Sequence, residues 1–237
     1  MRDISQMLPR VLEPEVMDTA AEARDYDAMD HAAVNARFCE DLLEVTTASP
    51  VLDVGTGTAQ IPIELCRRAP DARVVAIDLA EHMLSLGREN VARAGLTSRI
   101  ELRRVDAKLT QLDGGSFPTV MSNSIVHHIP EPSVVLAEMW RLVAPGGWLF
   151  VRDLSRPDDE GTLDALVARY AGEPPSDPAA AASFAHQREL FRASLHAALT
   201  ADEVADLVAP LGVPRAAVTM TSDRHWTLVA RKGPSEA

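Results

Sequence analysis

From Pro50 onward, short runs of β-branched and other apolar residues alternate with longer segments whose apolar positions recur three and four apart. The continuous apolar runs fit strands buried on both faces and the longer segments fit crossover helices, so the pattern is that of βαβ units wound into a parallel sheet. Strands are expected over Val51–Val54, Arg73–Ile77, Arg99–Val105, Thr119–Ser122 and Trp148–Arg152, with two more near the end over Ala217–Thr221 and Trp226–Ala230. Helices are expected over Ile61–Arg68, Glu81–Ala94 and Ser133–Val143, the last stopped by Pro145, Gly146 and Gly147. Thr200 and Glu203 have capping-box spacing and start a further helix, which Pro210 and Gly212 end. Only Ser222 to His225 separate the last two strands, which predicts an antiparallel hairpin at the sheet edge.

Two segments fall outside the alternation, and both are expected to act as lids. One is an amino-terminal arm up to about Val45; the other is an insertion from about Arg156 to Leu199 that contains the stretch GEPPSDPAAAAS. The arm reads as one helix beginning near Asp25, with Met29, Ala33, Ala36 or Arg37, and Cys39 to Leu43 on overlapping faces. Tyr26, His31 and Asn35 fall near that apolar surface, either packing on the sheet or touching cofactor or substrate, with Tyr26 and His31 favoured for substrate contact. In the insertion, Phe184, Phe191, Leu195 and Leu199 form one stripe that includes Arg188. An inward guanidinium there pairs with a structural acid or clamps a substrate carboxylate or phosphate.

Composition narrows the function. With 237 residues, 46% of them apolar and 24% charged, the chain fits one domain: an arm over 1–45, a core over 46–155, a lid over 156–199, and a final helix and hairpin over 200–237. A formal charge of −12 disfavours nucleic acid, whose phosphates need clustered Lys and Arg. No apolar run approaches the roughly 20 residues that cross a bilayer, and the start lacks a secretory signal, so a cytoplasmic protein away from membranes is expected. Cys39 and Cys66 have no second Cys or His at ligand spacing and read as reduced core residues; no metal is expected. Oligomeric state, a homodimer included, is left open.

The segment VLDVGTGTAQ carries the most chemistry: an apolar strand runs into a Gly-rich turn and then a helix, where small residues let a ligand approach the backbone. Gly55, Gly57 and Ala59 give a Gly-x-Gly-x-small spacing. A dinucleotide fingerprint would need its third Gly where Gln60 stands, which counts against an NAD-dependent oxidoreductase. Asp78 ends the second strand, where its carboxylate can accept both hydroxyls of a ribose or cap the next helix.

An acidic residue followed by this spacing after a first strand resembles motif I of class I S-adenosylmethionine-dependent methyltransferases, with Ala59 in place of the last Gly. The resemblance covers about Pro50 to Val151 and, more loosely, the final hairpin. It implies a Rossmann-like, doubly wound α/β fold: a seven-stranded, mostly parallel sheet with an antiparallel last strand, and S-adenosylmethionine as cofactor. It also implies site roles. Gly55, Thr56 and Gly57 would form the turn against the cofactor, Asp53 would hold its ammonium directly or through water, and Asp78 would take its ribose. Leu79 would pack on the adenine, and Asp106, beside Ala107, would bond the adenine amine. The segment SNSIVHHIPEP with the following VLAEMWRLVAPGGWLFVRDL resembles small-molecule methyltransferases of the quinone-methylating type. Ser122, Asn123, Ser124 and Ile125 stand where many amino-methylating enzymes of proteins and RNA carry Asn or Asp, Pro, Pro and an aromatic residue.

In an open parallel sheet ligands lie over the carboxyl ends of the strands, so Asn123 to His128 and Asp153 should face the transferable methyl. His127 or His128 can take a proton from the acceptor, with one of them facing the pocket. The hairpin turn should bring Arg224, His225 and Trp226 to the same rim. With these residues, the resemblance implies transfer of a methyl group from S-adenosylmethionine to a small polar or anionic molecule by in-line displacement, positioning supplying most of the acceleration. The alternative is a non-catalytic S-adenosylmethionine sensor or partner subunit.

Overall fold

The computed structural model describes residues 8–13, 19–29, 31–171 and 177–234. They are organised by one seven-stranded sheet in the order β3-β2-β1-β4-β5-β7-β6. Strands β1 (Val51–Val54), β2 (Val74–Asp78), β3 (Ile100–Arg104), β4 (Phe117–Asn123) and β5 (Val143–Leu154) run parallel. Strand β7 (His225–Arg231) lies antiparallel against β5, and β6 (Val218–Met220) forms the outer edge, antiparallel to β7. This is the expected sheet, with β4 and β5 extended at both ends.

Two cores explain why the strands read as unbroken apolar runs. Alternate side chains leave opposite faces of a strand. Leu52, Val54, Val120, Leu149 and Val151 therefore pack on one side with Leu136 and Met139 of α5 (Pro132–Leu142) and Val204 and Val208 of α8 (Ala201–Val208). Val51, Met121 and Phe150 pack on the other side with Phe38 and Leu42 of α2 (Ala32–Val45) and Ile63 and Cys66 of α3 (Gln60–Arg68). Both faces being covered, the sheet is of the doubly wound kind. Helix α4 (Glu81–Arg93) is the remaining crossover, and Cys39 and Cys66 are free and buried. At the start of α8 the capping box forms: the Glu203 amide donates to Thr200 Oγ1 at 3.2 Å and the Thr200 amide to Glu203 Oε2 at 2.8 Å.

The arm differs from its expectation. It is two helices, α1 (Ala20–Ala28) and α2, instead of one. The Tyr26 and His31 rings pack with centroids 5.0 Å apart, and α1 lies on α4, where Ala23 meets Ala80 and Met83. The insertion holds α6 (Glu160–Ala171) and α7 (Pro178–Ala197), while residues 172–176 of the Pro/Ala-rich stretch lie outside the described residues. Leu163 and Val167 of α6 pack with Leu195 and Phe191 of α7 onto Leu154. Arg188 is exposed instead of facing inward; among the described residues α7 meets that cluster through Phe191 and Leu195. Among the described residues, no helix is long and apolar enough to cross a membrane.

Candidate active site

Strand order reverses at β1, whose neighbours are β2 and β4, and a cleft opens over the carboxyl ends of these strands. Gly55 and Gly57 after β1, Asp78 and Leu79 at the end of β2, Asp106 and Ala107 beyond β3, and Asn123 at the end of β4 all line it. The turn needs its glycines. Gly55 and Gly57 have φ of 77° and 54°, and a Cβ on Gly55 would stand 2.6 Å from Ile125 Cδ1. Ala59 adopts the same left-handed region at φ 62° while capping α3. Its methyl is fully buried opposite Gly87 of α4, where even an added Cβ would lie 3.5 Å away, so a small side chain fits where the family pattern has Gly.

Asp78 ties the turn to β2: Oδ2 accepts from the Gly57 amide at 2.8 Å and Oδ1 from the Ala80 amide at 2.9 Å. The cap of α4 is Ala80, so Asp78 precedes the helix and keeps its carboxylate at the cleft. Behind the turn lies Asp53, 2% exposed, with Oδ2 buried and lacking a hydrogen-bond partner among the described residues. Burial pushes its carboxyl up to about 7; the Asp78 charge adds to the rise and Thr56 opposes it. Such a group wants a cation. Tyr26 roofs the turn, its Cε1 3.6 Å from where a Gly57 Cβ would stand, and burial with the nearby Asp78, Asp53 and Asp27 pushes its phenol up to about 12. Asp106 accepts from the Lys108 amide at 2.9 Å, with Lys108 Nζ 3.2 Å away.

At the reaction edge the two adjacent histidines separate in role. His128 lines the cleft with Asn123, Ile125 and Ile129, whereas His127 is 3% exposed and turned inward. Asp153, fully buried, accepts from the Val126 amide at 2.6 Å and the Leu154 amide at 2.6 Å, and sits 2.5 Å from His127 Nδ1. Burial opposes ionisation of Asp153, yet the His127 charge and these hydrogen bonds hold its carboxyl below the usual range. Asp153 therefore organises the short turn Val126–His128 from beneath.

Two residues not singled out in the sequence complete this edge. Arg10 donates to the carbonyls of Ala197 (2.7 Å), Ile129 (2.9 Å), His127 (3.2 Å) and Pro130 (3.2 Å). Glu13 Oε1 lies 2.9 Å from His128 Nδ1 and 3.5 Å from His127 Nε2. The polar positions of MRDISQMLPRVLEPEV show no periodicity that would point to them.

Other expected site residues stand elsewhere. His31 lines a separate groove with Asp27, Asn35 and Gln60, although its ring touches Tyr26. Thr56 is buried within the turn. Arg224 and His225 face a groove against α2, the Arg224 guanidinium stacked 3.3 Å from the Tyr170 ring centre. Burial, with Arg224 beside it, pushes His225 down to about 4. Trp226 is 0% exposed and part of the main core, not the rim, because the alternation along β7 sends it to the opposite face from His225.

A seven-stranded sheet in this order, with its last strand antiparallel, is the Rossmann-like fold of class I methyltransferases. Residues 51–147 match the family described as "Methyltransferase domain". The chain is 35% identical over 130 residues to a demethylmenaquinone methyltransferase of Listeria monocytogenes, a match covering 54% of each chain. It is 31% identical over 121 residues to a ubiquinone biosynthesis O-methyltransferase of Leptothrix cholodnii, covering 51% of this chain and 50% of that one. The chain thus spans about half the length of the curated relatives it matches. Among solved structures, a SAM-dependent methyltransferase from Aquifex aeolicus superposes with a TM-score of 0.63 at 18% identity, over 91% of this chain and 99% of that one. That likeness is one of fold.

Proposed function

We propose that this chain binds S-adenosylmethionine in the cleft over β1, β2 and β4 and methylates a small polar molecule. One observation carries the reading: the glycine turn, Asp78 and Asp106 converge on a single cleft, with Asp53 Oδ2 buried behind its floor and partnerless among the described residues. These groups suit the cofactor's parts. Asp78 offers acceptors for two ribose hydroxyls, Leu79 and Met83 offer apolar surface for a purine, and Asp106 offers an acceptor for its amine. Asp53 supplies the anion that an α-ammonium needs. When bound, S-adenosylmethionine supplies a methyl group on a sulfonium, open to in-line displacement by an acceptor.

The chain's own contribution is positional. Asn123 and His128 stand at the end of the cleft nearest β4, where an acceptor can be oriented, and Ile125 and Ile129 keep that end apolar. Names of the relatives support a ring-bearing acceptor. An anionic one loses its support, since Arg188 and Arg224 lie away from the cleft; Lys108 and His128 are the basic side chains in its walls among the described residues. Calorimetry with S-adenosylmethionine and S-adenosylhomocysteine, combined with turnover over a pool of small molecules, tests the reading. Binding with methylated product is expected; binding with no product from any acceptor supports a sensor, and no binding overturns the assignment.

A further inference from the structure

We propose that Glu13, His127 and His128 form a binding site for one divalent transition-metal ion of the zinc type at the wall of the cleft. The donors come from two segments distant in sequence, an amino-terminal strap over Leu8–Glu13 and the turn Val126–His128 after β4, and their ligating atoms all lie within 4.8 Å of one another. Glu13 Oε1 is 2.9 Å from His128 Nδ1 and 3.5 Å from His127 Nε2. Tetrahedral sites with metal–donor bonds of about 2.0–2.1 Å have donor–donor edges of roughly 3.3 Å, and the two Glu13–histidine distances lie on either side of that value.

The orientation of the three groups suits a shared cation. Asp153 takes backbone amides from Val126 and Leu154, and its Oδ1 lies 2.5 Å from His127 Nδ1, so His127 turns its other ring nitrogen, Nε2, towards Glu13. His128 turns its buried Nδ1, 2.9 Å away, to the same Glu13 oxygen. A buried carboxylate behind one histidine and Ser194 Oγ 3.2 Å from Glu13 Oε1 provide the outer support that metal ligands usually have. Two imidazoles and one carboxylate suit Zn²⁺ over Mg²⁺, and three protein ligands leave a position open beside a side chain that lines the cleft. Binding would also join the strap to the reaction edge.

This site stands whether or not methyl transfer is the reaction, and its test needs no turnover. The full chain, stripped with chelator, is titrated with Zn²⁺ by calorimetry and equilibrium dialysis, with Mg²⁺ as control. One Zn²⁺ per chain is expected, with affinity lowered at least about tenfold in Glu13→Gln and in His128→Ala, and about 10–100-fold in Asp153→Asn. Should Asp153→Asn fail to fold, the strap variant Glu13→Gln decides. Absence of stoichiometric Zn²⁺ binding, or binding unchanged in both Glu13→Gln and His128→Ala, overturns the proposal.

Discussion

The Gly57 amide donates to Asp78 Oδ2 across 2.8 Å, so the residue best placed to hold a ribose also fixes the turn on which the cofactor would rest. Replacing Asp78 therefore removes a ligand contact and loosens the neighbouring backbone together. Asp78→Ala should weaken S-adenosylhomocysteine binding by about 2–4 kcal/mol, the loss of charge-assisted hydrogen bonds to hydroxyls. Asp78→Asn, which keeps one acceptor, should lose less. Calorimetric affinities for the two variants check the order, and affinity unchanged in Asp78→Ala would remove the carboxylate from the site.

Asp53 makes the protein's response to pH a test of its role. Its folded carboxyl titrates at about 7, whereas an unfolded Asp titrates near about 3.9, so between these values the native state holds the extra proton. Stability from this group is therefore full below about pH 4 and lost as pH rises through about 7. Thermal melts of the ligand-free protein over that window should show a falling contribution that Asp53→Asn abolishes. A bound ammonium reverses the preference, because it favours the ionised carboxylate. Affinity for S-adenosylhomocysteine should then rise with pH up to about 7, by at most roughly tenfold per unit for one proton released. Equal affinity at pH 6 and 8 would place the ammonium elsewhere.

The two glycines of the turn should differ when replaced. A Cβ on Gly55 meets Ile125 Cδ1 at 2.6 Å and Ile125 Cβ at 2.9 Å, and the latter, next to the backbone, has no rotamer by which to escape. On Gly57 the nearest atom is Tyr26 Cε1 at an ordinary 3.6 Å. Both carry positive φ, so Gly57→Ala should cost about 1–2 kcal/mol from backbone strain alone. Gly55→Ala should cost about 1–3 kcal/mol more from overpacking, and should displace a side chain that lines the cleft. Denaturant unfolding of the two variants measures the difference; equal losses would mean that Ile125 yields freely.

The legible parts of this molecule were those set by local pattern. Val51 to Val54 announces a doubly covered central strand because each residue is buried, and the small residues at 55, 57 and 59 mark a turn whose observed φ values require them. What stayed hidden depended on contacts between distant segments. Glu13 and Arg10 matter through partners at positions 127–130 and 197, which no periodicity connects to the amino terminus. Trp226 shows a different limit. The hairpin position was foreseen, but whether a turn-adjacent aromatic faces the rim or the core depends on a one-residue phase that the short strand leaves undetermined. Arg188 is a similar case: it is exposed although Phe184 and Phe191 of the same stripe are half-buried.

Arg10 offers a direct test of whether the strap is part of the reaction edge. Its Nε donates to Ala197 and its two terminal nitrogens to His127, Ile129 and Pro130, so one planar group spans the end of α7 and the turn that carries both histidines. An ammonium cannot reach four carbonyls in that spread. Arg10→Lys should therefore resemble Arg10→Ala, each losing about 1–3 kcal/mol of stability and leaving carbonyls of the turn to find water. The sharper consequence is local. With the guanidinium gone, Leu8 to Glu13 keep backbone bonds only from Leu8 to Asp158 and from Val11 to His196 among the described residues, so proteolytic cleavage in that stretch should accelerate while the sheet stays protected. Mass-spectrometric mapping of limited digests distinguishes this from global destabilisation: cleavage spread across the core at the same rate would show that Arg10 supports the whole fold and not the strap.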